Sequence, residues 1–413
     1  MPDALTTLFE PLQLAGLTLR NRVIKTATFE GMCPGGVPGL DLIEHHARMA
    51  RGGVGLTTVA YCGVSPDGLT FPDQMWMHDG VFETLQRLAA AVHAEGGAVS
   101  AQLSHCGFFS RNRPRNIPRP RGPSAGINQY GLFSGIPFAG AMGPQDIQRT
   151  LEEYAQAARL VKRAGFDAIE IHMGHGYLLS QFISPATNQR KDEYGGSLEN
   201  RMRLPLQVLQ AVRRAVGEDF PVLAKINLSD GFAGGLTLEE SCRSAQLLEQ
   251  AGINAIVMSG GSVTRSPMYL FRGASPLPEM VKLERNPFQR TAMKWFGGAL
   301  FKSMPFEELY FLEQARQMRQ ATRVPLVYLG GVSSAQGLQR AMEEGFEGVA
   351  IGRALLNDPE LLTKVKHDSQ HRSACDHCNL CVASMSLPGG VRCVLNVGMS
   401  PAHGGAQVGA GRG

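Results

Sequence analysis

The chain has 413 residues, 43% of them hydrophobic and 18% charged, which is ample apolar material for one large core. Its 40 basic and 36 acidic residues leave a formal net charge of +4, too small for this length to mark a nucleic-acid or membrane partner. No window approaches the ~20 uninterrupted apolar residues of a membrane span, and residues 1–10 lack the basic start and apolar core of a signal peptide, so a soluble, cytoplasmic protein is expected.

In chain order, residues 12–22 read as a hairpin turning at Gly16. Strands are then expected at 23–28, 54–60, 98–103, 168–172, 222–227, 255–259, 326–329 and 348–351, each a short apolar run rich in β-branched residues. Between them, 81–95, 151–164, 201–216, 238–251, 306–320 and 335–344 carry apolar residues at helical spacing. Three of these helices run into Gly165, Gly252 or Gly345, placed to close the helix in a left-handed conformation. Strand and helix in alternation imply parallel strands, and eight such units close into a (β/α)₈ TIM barrel, an α/β fold, here assigned to residues 1–368 with the hairpin under its floor. Long insertions at 106–145 and 260–305 follow strands three and six, where loops build active-site walls. The first holds Arg111, Arg113, Arg115, Arg119 and Arg121 interleaved with prolines, which reads as a solvated loop rather than an anion-attracting rim. A cysteine-rich extension is assigned to 369–400, and the Gly- and Ala-rich residues 401–413 are expected to be a disordered tail.

Chemistry concentrates just past strand four, in His172-Met173-Gly174-His175-Gly176-Tyr177. Two imidazoles there can donate hydrogen bonds to one carbonyl oxygen and stabilise charge building on it, while the phenol can deliver a proton to the neighbouring carbon. No His-Glu-x-x-His pattern accompanies them, so a metal at this place is not expected. Barrels hold phosphate in the loops after strands seven and eight, where Gly330-Gly331 and Gly352-Arg353 fall; Gly260-Gly261 after strand six can contribute. No Gly-x-Gly-x-x-Gly follows a strand, so a nicotinamide donor would bind transiently rather than in its own domain. The second constellation is Cys375, Cys378 and Cys381 at two-residue gaps, with Cys393 eleven residues on, a spacing that wraps one loop around a metal centre. Cys33, Cys62, Cys106 and Cys242 are scattered and read as small core or loop residues.

The segments 172–185 and 188–201, with Leu8-Phe9, residues 19–24 and residues 351–359, resemble the Old Yellow Enzyme family of FMN-dependent ene-reductases over most of the chain. The resemblance implies FMN, NAD(P)H as electron donor, and an α,β-unsaturated carbonyl compound as substrate. It makes His172 and His175 the pair that holds the substrate carbonyl, with Tyr177 as proton donor. It sets Gln102 against the flavin pyrimidine edge, and Lys225 where most relatives have an arginine beside flavin N1 and O2, a swap that loses the bidentate fork. Thr26, Ala27 and Thr28 would line the flavin, with Phe29 and Tyr61 facing substrate; Phe29 stands where relatives carry a polar residue. The cysteine spacing resembles, with one residue's difference, the [4Fe-4S] motif of the larger 2,4-dienoyl-CoA reductase and trimethylamine dehydrogenase branch, and zinc or free thiols remain alternatives. Other readings of the whole are an amine demethylase or dehydrogenase, a non-catalytic redox sensor binding flavin or metal, and a barrel aldolase using Lys225 as a Schiff base. The number of chains in the assembly, a homo-oligomer included, stays open.

Overall fold

The computed structural model describes residues 4–71, 73–112, 117–385 and 387–396. Eight parallel strands close into a barrel: β1 (Val23–Lys25), β2 (Leu56–Gly63), β3 (Ala98–Ser104), β4 (Ala168–Met173), β5 (Val222–Asn227), β6 (Ala255–Ser259), β7 (Leu326–Tyr328) and β8 (Gly348–Ile351), with β8 pairing back onto β1. Helices such as Phe82–Ala94, Pro144–Arg163, Leu198–Val216 and Leu238–Gln250 return the chain between strands. Helices cover the outer face and side chains fill the interior, which is why the strands read as continuous apolar runs. Gly165, Gly252 and Gly345 take φ of 84°, 79° and 78°, the left-handed closure expected of them.

The inward face of each strand changes character along its length. In β4 the sequence is Ala168, Glu170, His172; in β5 it is Leu223, Lys225, Asn227; in β6, Ala255, Val257, Ser259. The first members and Val257 join Ile24, Leu56, Val327 and Ala350 in an apolar layer low in the barrel, and Glu170, His172, Lys225, Asn227 and Ser259 make buried polar positions above it. A hairpin of Leu12–Leu14 and Leu17–Leu19 plugs the floor through Leu12, Leu14 and Leu19. Its turn is close: the Gly16 N–H donates to the Asp219 carbonyl at 2.9 Å, and a Cβ on Gly16 would sit 2.7 Å from that oxygen.

β1 is shorter than expected, because after Lys25 the chain leaves the sheet and residues 26–29 run along the barrel mouth. The insertion after β3 carries a small three-stranded sheet and the one after β6 carries the helices Pro267–Phe271, Leu277–Leu283 and Pro287–Leu300. Arg111 bridges the two insertions by donating to Gln289 at 2.8 Å, and Arg121 pairs with Asp146, so these arginines are engaged rather than free in solvent; Arg113 and Arg115 lie outside the described residues. The cysteine-rich stretch packs onto the mouth: Ser373 N–H donates to the Ser333 carbonyl at 2.8 Å, and Val391 N–H to that of Glu30 at 2.7 Å. The tail 401–413 also lies outside the described residues.

Candidate active site

The turn after β4 builds the centre of the site. A Cβ on Gly174 would meet the Asn227 side-chain oxygen at 2.8 Å, so the backbone passes close to β5. His175 follows with φ of 59°, a left-handed conformation that non-glycine residues hold only under constraint. The constraint is visible: His175 N–H donates to Asn227 Oδ1 at 3.0 Å, and its ring Nε2 lies 2.7 Å from the Ser259 hydroxyl at the end of β6. His172 Nδ1 accepts the Gly174 N–H at 3.4 Å, leaving Nε2 to carry the ring proton. The two rings stand 5.0 Å apart at 78°. Tyr177 then opens the helix Leu178–Ile183, its ring 4.5 Å from His172 and 5.0 Å from Tyr61.

Burial sets the charge state of all three. It holds His172 well below the usual imidazole range and, with Lys225 nearby, takes His175 down to about 3, so both rings are neutral donors at physiological pH. Burial pushes the Tyr177 phenol well up, keeping its proton in place. These groups open onto a cavity of about 240 Å³ at the C-terminal mouth of the barrel. Thr26, Ala27, Thr28, Phe29, Tyr61, Gln102, Lys225, Gly331, Gly352 and Arg353 line it too, so most of the residues singled out in the sequence converge on one space.

Gly260, Gly261 and Gly330 are not on that wall. Gly260 is packed so closely that a Cβ would meet Phe311 at 2.9 Å and Tyr269 at 3.0 Å, and one on Gly330 would meet the Tyr328 hydroxyl at 2.5 Å. Gly261 closes a turn with φ of 87° and gives its carbonyl to Asn227. Their task is close packing beneath the loops. The wall also contains residues the sequence did not single out: Ser259, an aromatic set of Phe71, Phe109, Tyr130, Phe306 and Tyr310, and His377 from the C-terminal stretch; Cys381, a metal-ligand candidate in the sequence, lines it too.

One side of the cavity is backed by a buried polar network. Lys225 Nζ lies 3.0 Å from Glu170 Oε1 and donates to Thr26 Oγ1 at 2.8 Å, and Gln102 Nε2 donates to the same Glu170 oxygen at 2.7 Å. Burial lowers the Lys225 ammonium pKa, and the neighbouring Glu170 opposes that shift. A Schiff-base lysine needs a free amine, and an ammonium held between a carboxylate and a hydroxyl is poorly suited to the aldolase reading.

The four cysteines border one small recess with Arg353, Leu356, Asp376 and Asn379. All four are free thiols, and burial pushes Cys378 up to about 11 and Cys381 up to about 12. Asn357 Nδ2 donates toward Cys393 Sγ at 3.3 Å. Among the described residues, the donor groups gathered within 4.8 Å of one another are Glu30–His45–His46 and Asp67–His105–Glu153, and no three of these cysteines form one. Tetrahedral zinc at ~2.3 Å from each sulfur would need sulfurs about 3.8 Å apart, so the thiols are spread wider than zinc requires. Neither of the two triads offers a free ligand set. Lys25 Nζ already occupies Glu30 at 2.6 Å, and Gly107 N–H donates to His105 Nδ1 at 2.9 Å, which leaves His105 Nε2 protonated.

The NADH:flavin oxidoreductase / NADH oxidase family matches residues 7–270. A 4,4'-dithiodibutanoate disulfide reductase of Rhodococcus erythropolis is 43% identical over 94% of this chain and 95% of its own. The chain belongs to this family. Within it, the chain groups with the Old Yellow Enzymes: the solved structure of morphinone reductase in complex with tetrahydroNAD superposes with a TM-score of 0.67 at 25% identity, covering 90% of this chain and 93% of that one. An N,N-dimethylglycine/sarcosine dehydrogenase of Chromohalobacter salexigens is 31% identical over 96% of this chain, which spans only 54% of that relative's length. Residues 307–387 also match the dihydrouridine synthase family, over the last part of the barrel and the start of the cysteine stretch. The protein is therefore an NAD(P)H:flavin oxidoreductase with FMN as its cofactor. No helix among the described residues is long and apolar enough to cross a membrane.

The cavity suits that cofactor chemically. It is walled by apolar and aromatic surface on which a ring system can lie, with Gln102 and Lys225 as polar partners on one side and two glycines and Arg353 on another. Arg353 donates to the Phe271 carbonyl at 2.8 Å and pairs with the Asn379 side chain, so the guanidinium is held in place before any anion arrives.

Proposed function

We propose that this flavin oxidoreductase reduces the C=C bond of an α,β-unsaturated carbonyl compound. The observation that carries the reading is the convergence of two neutral histidines and a protonated phenol on the same cavity as Gln102 and Lys225. FMN, when bound, would supply the redox chemistry: a hydride acceptor for NAD(P)H and a hydride donor toward the substrate's β-carbon. His172 through Nε2–H, and His175 with it, donate to the carbonyl oxygen and stabilise the charge that develops there. Tyr177 gives its proton to the α-carbon, and its raised pKa keeps that proton available at neutral pH. Gln102 and Lys225 would hold the flavin's pyrimidine edge, Thr26, Ala27 and Thr28 would line its face, and Gly331, Gly352 and Arg353 would receive its phosphate. Phe29 and Tyr61, 5.2 Å apart and stacked, form an aromatic wall for substrate.

At the cysteine recess we propose a [4Fe-4S] cluster rather than zinc, supported by the fact that no three of the four sulfurs lie within 4.8 Å of one another. Cys375, Cys378, Cys381 and Cys393 would be its ligands.

A second reading of the acceptor is a small disulfide, reduced to two thiols by the same hydride and one proton. The 43% identity with the Rhodococcus disulfide reductase over almost the full length of both chains favours it. One experiment separates the two. Enzyme reduced anaerobically with NAD(P)H is mixed with cyclohexenone or with 4,4'-dithiodibutanoate, and flavin reoxidation is followed by its absorbance. Reoxidation by the enone alone supports the first reading, and by the disulfide alone the second. A protein that takes up no FMN sinks both.

A further inference from the structure

Glu170 is a buried carboxylate in the second inward position of β4, 2% exposed, and it does not reach the cavity wall. Its oxygen Oε1 is shared by two residues that do: Gln102 Nε2 at 2.7 Å and Lys225 Nζ at 3.0 Å. A carboxylate placed only to make a buried lysine tolerable would need the second contact alone. The first has a separate consequence. Gln102 spends one amide N–H inward, which fixes the plane of its amide and leaves the carbonyl oxygen, an acceptor only, and one N–H to meet a ligand.

We propose that Glu170 is a positioning residue for the flavin. It compensates the charge of Lys225 and fixes Gln102 as an acceptor for the flavin's ring N3–H. The inference rests on the FMN site described above. With Glu170 in place, the Lys225–Glu170 pair is near neutral, so the site attracts negative charge on the pyrimidine edge only weakly. Replacing Glu170 by an isosteric amide leaves Lys225 uncompensated and strengthens that attraction.

Sulfite tests the first half. It adds through its sulfur lone pair to N5 of oxidised flavin, and the resulting negative charge settles on the N1–C2=O edge, with no other reagent consumed. In holoenzyme, Glu170→Gln should bind sulfite about tenfold more tightly, the scale of one unit charge acting nearby at an effective dielectric of about 20. Glu170→Asp should stay close to the parent, and Lys225→Met should bind more weakly. Equal or weaker sulfite binding by a flavin-loaded Glu170→Gln overturns the compensation.

The second half needs no variant of Glu170. The parent apoprotein should bind N3-methyl-FMN about tenfold less tightly than FMN, because the methyl removes the donor Gln102 requires. Gln102→Ala should erase that discrimination. Equal affinity of the parent for both flavins overturns the acceptor role, and still does so if Glu170→Gln fails to fold. Failure of the parent to bind FMN at all is a different result, and it refutes the proposed function rather than this inference.

Discussion

Ser259→Ala tests the site at a wall residue whose hydroxyl meets its neighbour's ring. The Ser259 hydroxyl lies 2.7 Å from His175 Nε2 and is fully buried, so its removal leaves a ring nitrogen in a dry site without a partner. An unsatisfied buried polar group costs roughly 1–3 kcal/mol. The same hydrogen bond holds the ring's orientation and tautomer, as outer-shell partners do for ligating histidines. If about 1–2 kcal/mol of that cost is expressed in the transition state, the oxidative half-reaction slows roughly 5- to 30-fold, since 1.36 kcal/mol is a factor of ten. NAD(P)H-reduced enzyme is mixed with acceptor in a stopped-flow instrument, and the flavin reoxidation rate is compared for parent, Ser259→Ala and Ser259→Thr. The alanine variant should be slow with an unchanged reductive half-reaction, and threonine, which keeps the hydroxyl, should recover most of the loss. A Ser259→Ala rate within twofold of the parent would refute the argument that His175 is held by this contact.

Tyr177→Phe should leave flavin reduction by NAD(P)H intact but slow enone reduction about a hundredfold or more, the usual scale for a lost general acid; a disulfide acceptor, which needs no proton on carbon, should lose much less. Burial, with Asp67 adding to it and Arg149 opposing, pushes the Glu153 carboxyl up to about 7 from its ordinary value of 4.5. The folded state therefore prefers the protonated form: the burial cost is absent below about pH 4.5, grows as pH rises, and is complete above about pH 7. Glu153→Gln should accordingly raise the melting temperature at pH 8 and leave it unchanged at pH 4, and equal effects at both would contradict the assignment. Freshly purified protein should carry about four irons with matching sulfide per chain, and Cys393→Ala should lose them while retaining flavin; one zinc per chain and no iron would exclude the cluster.

The barrel was legible because each strand is a short apolar run and several helices close on a glycine, patterns set by local burial and backbone sterics. Several boundaries shifted, β2 to Leu56–Gly63 and the helix expected at 306–320 to Leu312–Ala321 among them, and the shift at β1 has a local reason: Thr26, Ala27 and Thr28 look like strand continuation by composition, yet they line the mouth. His172, His175 and Tyr177 stood out because polar residues beside glycines at a strand end are conspicuous. Glu170 and Ser259 did not, although a period-two count back from His172 along β4, or forward from Val257 along β6, reaches both on the inward face. Gly260, Gly261 and Gly330 were read as phosphate loops from sequence position alone; the packing of Gly260 against Phe311 and Tyr269 and of Gly330 against the Tyr328 hydroxyl shows what glycine allows at those two places.

The cysteine stretch shows most clearly what spacing alone could not give. Its pattern raised a metal centre as one expectation but did not say where in the fold the four thiols would lie. Arg353, Leu356 and Cys381 border both the recess and the flavin cavity, so a single layer of side chains separates the two. His377, between the second and first of these cysteines, stacks on Phe306 with ring centroids 3.3 Å apart and forms part of the cavity wall itself. Whatever fills the recess therefore sets the position of wall residues at the flavin site. Cys393→Ala, which removes one side of the recess, should therefore loosen His377 and Cys381 and so reach the flavin cavity even if no electron ever passes between the two sites.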